Sequence, residues 1–132
     1  PGLAALAREA SGCEVIQGDF ETFDFSGHPA DAVLLSGALV HVPHGNLGPA
    51  LEKISRAFAA CRDNGLERWL YISLKEGDGS FTDPRGRTFY LWRDEALREV
   101  FGHLGMAVRH FLRSASADGT GKHWLGYVLT VP

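Results

Sequence analysis

The sequence predicts an α/β domain with a mostly parallel sheet, flanked by helices and closed by an antiparallel hairpin at its C-terminal end. Predicted strands alternate with predicted helices along the chain, which is the pattern of α/β domains. Two nearly continuous apolar runs, at residues 31–36 and 66–74, suit strands buried on both faces, as in parallel sheets. Strand-like segments at 106–113 and 123–131 flank a Gly-rich loop, which predicts the hairpin. The length of 132 residues indicates a single domain, here residues 1–132.

A short helix and a short strand are predicted to open the chain. Leucine and alanine recur at helical spacing between residues 3 and 10, and Gly12 stops the pattern. Residues 13–17 then predict a strand, since Val15 and Ile16 are β-branched. Residues 21–30 contain Asp, Ser, Gly and Pro and are interpreted as a loop.

Two further helices are predicted from apolar stripes. The first has Asn46 as a candidate N-cap and Gly65 beyond its end. Its stripe consists of Leu47, Leu51, Ile54, Phe58 and Cys61. The second helix runs through Leu97 to Leu104, with acidic residues in its first turn and Gly105 as its stop. Between the two, residues 75–88 are predicted to form a long polar loop, and such loops are often functional.

Composition excludes several classes of protein. The chain is 45% apolar and 22% charged, which is ordinary for a globular protein and argues against disorder. The net charge of -3, without a run of Lys or Arg, argues against a nucleic-acid partner. No apolar run reaches the roughly 18 residues that a membrane span needs. The cysteines Cys13 and Cys61 are interpreted as reduced core thiols, which fits a cytoplasmic location, and no metal site is predicted.

Five segments, taken in order, resemble the class I S-adenosylmethionine-dependent methyltransferase family. They correspond to the helix after the family's second strand, its third strand with a terminal Gly-Asp, its fourth strand and turn, its fifth strand, and the approach to its last helix. In this chain they are residues 1–8, 15–20, 30–42, 70–75 and 89–97. The resemblance covers nearly the whole chain. It implies a Rossmann-like sheet and, for the parent family, methyl transfer from S-adenosylmethionine to a small-molecule acceptor.

The resemblance also implies one wall of a cofactor site. Ligands of open parallel sheets bind beyond the carboxyl ends of the strands, where Asp19 lies. By resemblance, its carboxylate accepts a hydrogen bond from the adenine amino group and Phe20 packs near the ring. The turn Ser36-Gly37-Ala38 would lie beside the methionine part of the cofactor. The alternative is that Asp19 only caps a turn and that Phe20 belongs to the core.

The acceptor side of the site is assigned to residues further along the chain. His41 follows the turn and could position a substrate or act as a base, or it could be a packed core histidine that bonds a carbonyl. Four residues could contact the substrate: Lys75, Arg87, Tyr90 and Trp92. The alternative for them is a solvated loop followed by two aromatic core residues.

Two elements with which the family holds its cofactor are not found in the sequence. They are a Gly-rich turn between an opening strand and a helix, and an acidic residue after the second strand. The resemblance therefore predicts an N-terminally truncated fold. The family's strand order is 3-2-1-4-5-7-6, so the first two strands lie in the middle of its sheet. Without them, strand 31–36 has an open edge, which is a hazard in solution.

Three outcomes are open for this edge. Strand 13–17 could pair directly with 31–36, another chain could cover the edge, most simply in a homodimer, or the missing segment could precede Pro1 in the gene. The chain is accordingly predicted to be an inactive or incomplete methyltransferase. The alternative is a non-catalytic remnant of that fold that self-associates or binds a partner. Another doubly wound α/β domain has less support, since no GxSxG, Walker loop or carboxylate pair occurs.

Overall fold

The computed structural model describes residues 2–58 and 65–132, and this part of the chain forms three helices and six strands. In chain order they are α1 (Gly2–Ser11), β1 (Ala32–Ser36), α2 (His44–Ser55), β2 (Arg68–Lys75), β3 (Ser80–Thr82), β4 (Thr88–Tyr90), α3 (Asp94–His103), β5 (Ala107–Ala115) and β6 (His123–Val131). Within these ranges no helix is both long enough and apolar enough to cross a bilayer.

The main sheet has four strands in the order β1-β2-β6-β5. Strand β1 runs parallel to β2, whereas β6 is antiparallel to both of its neighbours, β2 and β5. The predicted α/β fold and the closing antiparallel hairpin are confirmed. The described sheet is mixed rather than mostly parallel, because β6 inserts between β2 and β5 and contributes both antiparallel ladders.

The core lies between one face of this sheet and the helices α2 and α3. Tyr127 of β6 and Ile72 of β2 are fully buried there, against Leu97 and Phe101 of α3. The predicted stripe of α2 is buried in the same cluster, except for Cys61, which lies outside the described residues. Each such side chain contributes about 1.5–3 kcal/mol on burial, so this face of the sheet accounts for much of the hydrophobic stabilisation.

The predicted strand at 13–17 is wrong. These residues have no strand pairing, and β1 pairs only with β2 among the described residues. Extended, β-branched sequence becomes a strand only when a neighbouring backbone supplies hydrogen-bond partners. Here the partner is a side chain, since the Arg8 guanidinium donates to the Val15 carbonyl oxygen at 2.7 and 3.1 Å. Residues 13–17 therefore do not cover the open edge by pairing with β1.

Helix α1 is confirmed, but it buries none of its side chains. It ends as predicted at Gly12, whose φ of 66° suits glycine and whose N–H donates to the Arg8 carbonyl at 3.0 Å. Leu3 is 83% exposed, so the apolar stripe of α1 has no partner in the described chain. Cys13 is an exposed free thiol, and the prediction that it belongs to the core is wrong.

Residues 75–88 contain a β-hairpin and are not simply a loop. Strands β3 and β4 pair antiparallel, and Phe81 stacks on Phe89 with ring centroids 5.0 Å apart. The turn is closed by a bond from the Gly86 N–H to the Asp83 carbonyl at 2.9 Å. The Asp83 carboxylate also accepts the N–H groups of Arg85 and Arg87, each at 2.9 Å. The sequence Asp-Pro-Arg-Gly at 83–86 is a turn signal that predicts this hairpin.

The predicted cap of α2 is also wrong. The helix begins at His44 after Pro43, and no side chain caps it. The Asn46 amide instead donates to Glu21 Oε1 at 2.6 Å, and the Lys53 ammonium donates to the Glu21 carbonyl at 2.6 Å. Two residues of α2 therefore hold the loop that follows Asp19 against the helix. Helix α3 is confirmed, with Gly105 at its end in the left-handed conformation (φ 69°).

The face of the sheet opposite α2 and α3, called the outer face below, is largely uncovered. Leu34 of β1 is 73% exposed and lies in one row with Tyr71 and Val128. These three and Trp69 line a shallow apolar hollow of about 220 Å³. The open edge expected for strand 31–36 is present, because the other side of β1 carries no strand among the described residues.

Candidate functional site

An aromatic cleft of about 300 Å³ lies between the segment after α1 and the loop that precedes β1. Its lining is Glu14, Ile16, Gly18, Asp19, Phe20, Phe23, Phe25 and His28. Phe20 and Phe25 are nearly parallel, with an interplanar angle of 9° and centroids 6.4 Å apart, and Phe23 meets Phe25 edge-on at 4.9 Å. A Cβ on Gly18 would lie only 2.8 Å from the Phe23 ring, so this ring position requires glycine. The cleft can hold a flat apolar ring.

Asp19 brings a carboxylate to this cleft. Its Oδ1 accepts the Glu21 N–H at 2.7 Å, and its carbonyl accepts the N–H groups of Thr22 and Phe23 at 3.1 and 2.8 Å. The carboxylate thus stabilises a turn and lines the cleft at the same time. Because Oδ1 is fixed by the backbone, Oδ2 is left to accept a hydrogen bond from a ligand.

The turn Ser36-Gly37-Ala38 follows β1 at the carboxyl end of the parallel strand pair. Gly37 has a φ of 60°, and its N–H donates to the Ser73 hydroxyl oxygen at 2.9 Å. A Cβ on Gly37 would lie 3.3 Å from Trp124, so the backbone approaches this indole closely. Ala38 packs against the core. Small residues at this strand end leave the backbone open to a ligand.

His41 is tied to the β3–β4 hairpin. Its Nδ1 lies 2.7 Å from the Thr88 carbonyl oxygen, and its ring packs 4.5 Å from Phe89. A carbonyl only accepts, so Nδ1 carries the hydrogen and Nε2 of the neutral ring is the acceptor. His41 is exposed, which leaves Nε2 accessible. The bond to a carbonyl agrees with the second sequence alternative, although the ring is exposed and does not belong to the core, and a role as a base stays a prediction.

His44, the first residue of α2, makes a specific contact with the segment that follows β4. Its Nε2 lies 2.6 Å from the Leu91 carbonyl oxygen, and its ring packs on Trp92 with centroids 4.7 Å apart. The Tyr90 N–H donates to the Val40 carbonyl at 2.9 Å beside it. Together with His41, these contacts attach the hairpin to the turn after β1. No local pattern at His44 indicates a partner that lies 47 residues away.

Lys75 ends β2 and lies within a group of aromatic rings. Its ammonium is 5.1 Å from the Phe89 centroid, 5.3 Å from Trp124 and 6.0 Å from Phe81. The Lys122 ammonium lies 3.9 Å from the same Phe81 ring. These are cation–π distances, so the two lysines carry positive charge into an aromatic surface.

The other three predicted substrate residues have further partners of their own, although the Trp92 N–H donates to the Lys75 carbonyl at 2.9 Å and the Arg87 guanidinium lies 5.5 Å from the Phe89 ring that Lys75 also contacts. Arg87 pairs with Asp83 of its own hairpin at 2.6 Å. Tyr90 and Trp92 pack around His44. Trp92 is buried, and its Nε1 has no hydrogen-bond partner within 2–58 and 65–132.

A second cleft, of about 320 Å³, opens on the outer face at the ends of β1 and β2. We call it the hydroxyl cleft, since its lining is Ser36, Gly37, Tyr71, Ser73, Ser114 and Trp124. Four of these side chains end in hydroxyl groups. Sequence reasoning placed only Ser36 and Gly37 at a site, because the other residues converge through the pairing of β2, β5 and β6.

Ion pairs fix the strand ends beside these clefts. The Arg113 guanidinium binds both carboxylate oxygens of Glu76 at 2.7 Å, and this hydrogen bonding lowers the pKa of Glu76. Arg93 pairs with Asp78 in the same manner, lowers the pKa of that carboxyl, and has its own pKa raised. Across the described ranges, no three His, Cys, Asp or Glu side chains converge as a metal site would require.

Comparison with solved structures shows that the chain has the class I fold of the S-adenosylmethionine-dependent methyltransferases over nearly its whole length. It is similar to 1,6-didemethyltoxoflavin-N1-methyltransferase of Burkholderia thailandensis, with a TM-score of 0.74, 19% identity, and coverage of 99% of this chain and 56% of that one. That structure contains 1,6-didemethyltoxoflavin and S-adenosylhomocysteine.

Two more similar structures come from other organisms. A Leishmania major S-adenosylmethionine-dependent methyltransferase gives a TM-score of 0.72 at 13% identity, covering 98% of this chain and 51% of that one. A Methanosarcina mazei S-adenosylmethionine-dependent methyltransferase gives a TM-score of 0.71 at 13% identity, covering 97% of this chain and 76% of that one. The chain thus spans about half the length of the first two. It matches no protein-family model and no curated protein sequence.

Proposed function

We propose that the chain is part of an S-adenosylmethionine-dependent methyltransferase that acts on a small-molecule acceptor, and that the aromatic cleft holds the adenine ring of the cofactor. The aromatic cleft carries this proposal. It combines phenylalanine rings with the Asp19 carboxylate in about 300 Å³, at the lower end of the range for small-molecule sites. A purine with an exocyclic amine offers the flat apolar faces and the hydrogen-bond donor that this lining accepts.

The residues present fit the adenine end of the cofactor. Asp19 Oδ2 would accept a hydrogen bond from the amine, and Phe20 would pack beside the ring. Gly37 and Ala38, with small side chains at the end of β1, border the methionine end. S-adenosylmethionine supplies an electrophilic methyl group when it is bound. The protein's part is to hold donor and acceptor in line, since orientation alone lowers the barrier to a reaction between two bound molecules.

His41 is the candidate proton acceptor for an oxygen or nitrogen nucleophile. The Thr88 carbonyl holds the hydrogen on Nδ1 and orients the ring, so the lone pair of Nε2 is available. The proton that the acceptor loses passes to Nε2, and the resulting imidazolium keeps its bond to Thr88.

By itself, this chain should bind the cofactor weakly and transfer no methyl group. Its sequence contains neither the Gly-rich turn nor the second-strand acidic residue that the fold uses for the rest of the cofactor. Adenine contacts alone correspond to a Kd on the order of 1 mM, or about -4 kcal/mol.

An NMR titration with S-adenosylhomocysteine tests this assignment. We expect amide shifts in residues 18–25 and at Gly37. Asp19→Asn keeps an Oδ1 acceptor for the turn but removes the charge, and it should weaken binding about tenfold. Glu52→Gln is the matched control and should leave the affinity unchanged, because Glu52 is exposed on α2 and does not belong to the lining of the cleft. Unmoved cleft resonances, or equal affinities of the wild type and Asp19→Asn, would contradict the proposal.

A second candidate function is a non-catalytic, self-associating module, and the open edge of β1 favours it. Strand β1 has one edge that pairs with no other strand in residues 2–58 and 65–132, next to the exposed Leu34 and Trp69. Such an edge pairs readily with another strand. A two-fold homodimer that joins two β1 strands would satisfy both edges at once.

A further inference from the structure

The hydroxyl cleft is built by residues that lie opposite one another in the sheet. Ser36 pairs with Ser73, and Ser73 pairs with Gly126. Two residues further along β2, Lys75 pairs with Trp124, which also pairs with Ser114. Opposed residues point to the same face, so the serine hydroxyls, the indole and the lysine stem all lie on the outer face. Gly126 keeps the cleft open, since a Cβ there would lie 3.0 Å from the Tyr71 hydroxyl.

Ser73 gives the cleft a directed hydrogen-bond donor. The side chain is buried, with 6% of the residue exposed, and its oxygen accepts the Gly37 N–H at 2.9 Å. That bond occupies one lone pair and leaves the hydroxyl hydrogen without an acceptor among the described residues. Because Ser73 lines this open cleft, its hydroxyl can donate that hydrogen to a ligand oxygen there.

The charge around the cleft favours an anion. No acidic side chain belongs to its lining. The Lys75 ammonium lies 5.3 Å from the Trp124 ring and, within the described chain, has no carboxylate within ion-pair distance. Asp118 is the acid whose charge acts on this lysine, but it belongs neither to the lining of the cleft nor, among the described residues, to an ion pair with Lys75. The hydrogen bonds from Thr120 lower its pKa to about 2, so its carboxylate stays ionised.

We infer that the hydroxyl cleft binds the methyl acceptor, and that this acceptor is a small planar molecule with a carboxylate that faces Lys75. The inference rests on the proposed function, because it places the acceptor beside the Ser36-Gly37-Ala38 turn. The volume of about 320 Å³ suits a molecule of one or two rings. The indole supplies a flat wall, the serines and Tyr71 bind the acceptor's polar groups, and Lys75 attracts its charge.

Benzoate and its neutral analogue benzamide test the site in the intact chain. We expect benzoate to shift the Trp124 indole N–H and the amides of Gly37 and Gly126, and to bind about tenfold more tightly than benzamide. Lys75→Met keeps the aliphatic stem and should remove this preference. Lys53→Met is the matched control, because Lys53 lies on α2 and bonds the Glu21 carbonyl. Ser73→Ala should weaken the binding of both probes.

Equal affinities for benzoate and benzamide in the wild type would overturn the inference, as would unmoved Trp124 and Gly37 resonances. Both measurements, the two affinities and the resonance shifts, use the unmodified protein, so they test the inference even if a variant fails to fold. The S-adenosylhomocysteine titration reports on the aromatic cleft separately. Loss of benzoate binding with that titration intact removes only this inference. Benzoate binding without S-adenosylhomocysteine binding removes the methyltransferase proposal and leaves an anion site.

Discussion

The Nδ1 atom of His41 lies 2.7 Å from the carbonyl oxygen of Thr88, and this contact joins the turn after β1 to the β3–β4 hairpin. The Val40–Tyr90 backbone bond and the contact from His44 to Leu91 act beside it. The hairpin also carries Phe81 and Phe89, which surround the Lys75 ammonium. The position of these rings near the hydroxyl cleft therefore depends on a histidine that is also the candidate base.

Replacing His41 should loosen the hairpin before it unfolds the domain. His41→Ala removes one side-chain hydrogen bond, so we expect a loss of about 1 kcal/mol in the free energy of unfolding. Amide hydrogen exchange should become faster at Tyr90, whose N–H bonds Val40, than in β2. His110→Ala, at an exposed position on β5, is the control. Unchanged exchange at Tyr90 in His41→Ala would show that the Thr88 contact does not hold the hairpin.

Tyr127 should make the protein sensitive to alkaline pH. Its hydroxyl is buried and donates to Asp94 Oδ1 at 2.8 Å, and burial followed by this bond raises the pKa of Tyr127 above its usual 10.0. Above about pH 10 the unfolded state releases the tyrosine proton and the folded state keeps it. The stability that is present below that pH is therefore lost as the pH rises, by up to about 1.4 kcal/mol per unit.

Urea unfolding between about pH 9 and about pH 11 measures this dependence. Tyr127→Phe should flatten the decline and should cost about 1.5 kcal/mol at neutral pH, where the bond to Asp94 is lost. Tyr90→Phe is the matched control, since it removes a hydroxyl and leaves the Tyr127–Asp94 bond in place. An equally steep decline in Tyr127→Phe would mean that other groups cause the alkaline sensitivity.

Gly37 should tolerate a side chain less well than Gly79. Both have left-handed backbones, with φ of 60° and 65°, so alanine costs about 1 kcal/mol of strain at either position. Only at Gly37 would the new Cβ meet a neighbour, at 3.3 Å from Trp124. Thermal unfolding should show the larger loss for Gly37→Ala, and the indole N–H resonance of Trp124 should move. Equal losses with an unmoved indole would place Trp124 away from the turn.

The open edge of β1 should drive self-association. Leu34→Lys puts a charge on the outer face next to this edge, and sedimentation velocity should show less dimer than in the wild type. Leu112→Lys is the matched control, because Leu112 is 54% exposed on the same face but lies on β5, at the far side of the sheet. A wild-type monomer at high concentration, or an equal effect of both lysines, would argue against pairing through β1.

Local sequence was sufficient where local contacts decide the structure. The apolar run at 31–36 became β1, and the stripe ending at Gly105 became α3. Local sequence was insufficient where a residue distant in sequence decides whether a segment becomes a strand. Residues 13–17 have strand propensity, yet no neighbouring backbone pairs with them. The sequence at 83–86 is typical of a hairpin turn. The polar composition of the surrounding segment nevertheless led to the prediction of a loop.

The candidate site also has one part that local sequence predicts and one part that depends on strand pairing. The aromatic cleft is built within one stretch of chain, from Glu14 to His28, so sequence reasoning placed Asp19 and Phe20 together. The hydroxyl cleft could not be foreseen, because Ser73, Ser114 and Trp124 meet only through strand register. Arg87 and Trp92 are predicted to share one substrate site with Lys75, but their side chains also have separate partners, since Arg87 pairs with Asp83 and the buried Trp92 ring packs on His44.

The sequence by itself determined the alternation of strands and helices, the buried stripes of α2 and α3, and the small turn after β1. These follow from periodicity and from the backbone preferences of single residues, which act over a few positions. The tertiary structure alone decided that residues 13–17 have no strand partner among the described residues, that Ser114 reaches Trp124, and that Lys75 faces Trp124. Those relationships depend on which distant backbones exchange hydrogen bonds, and the alternating pattern of one strand does not specify its partner.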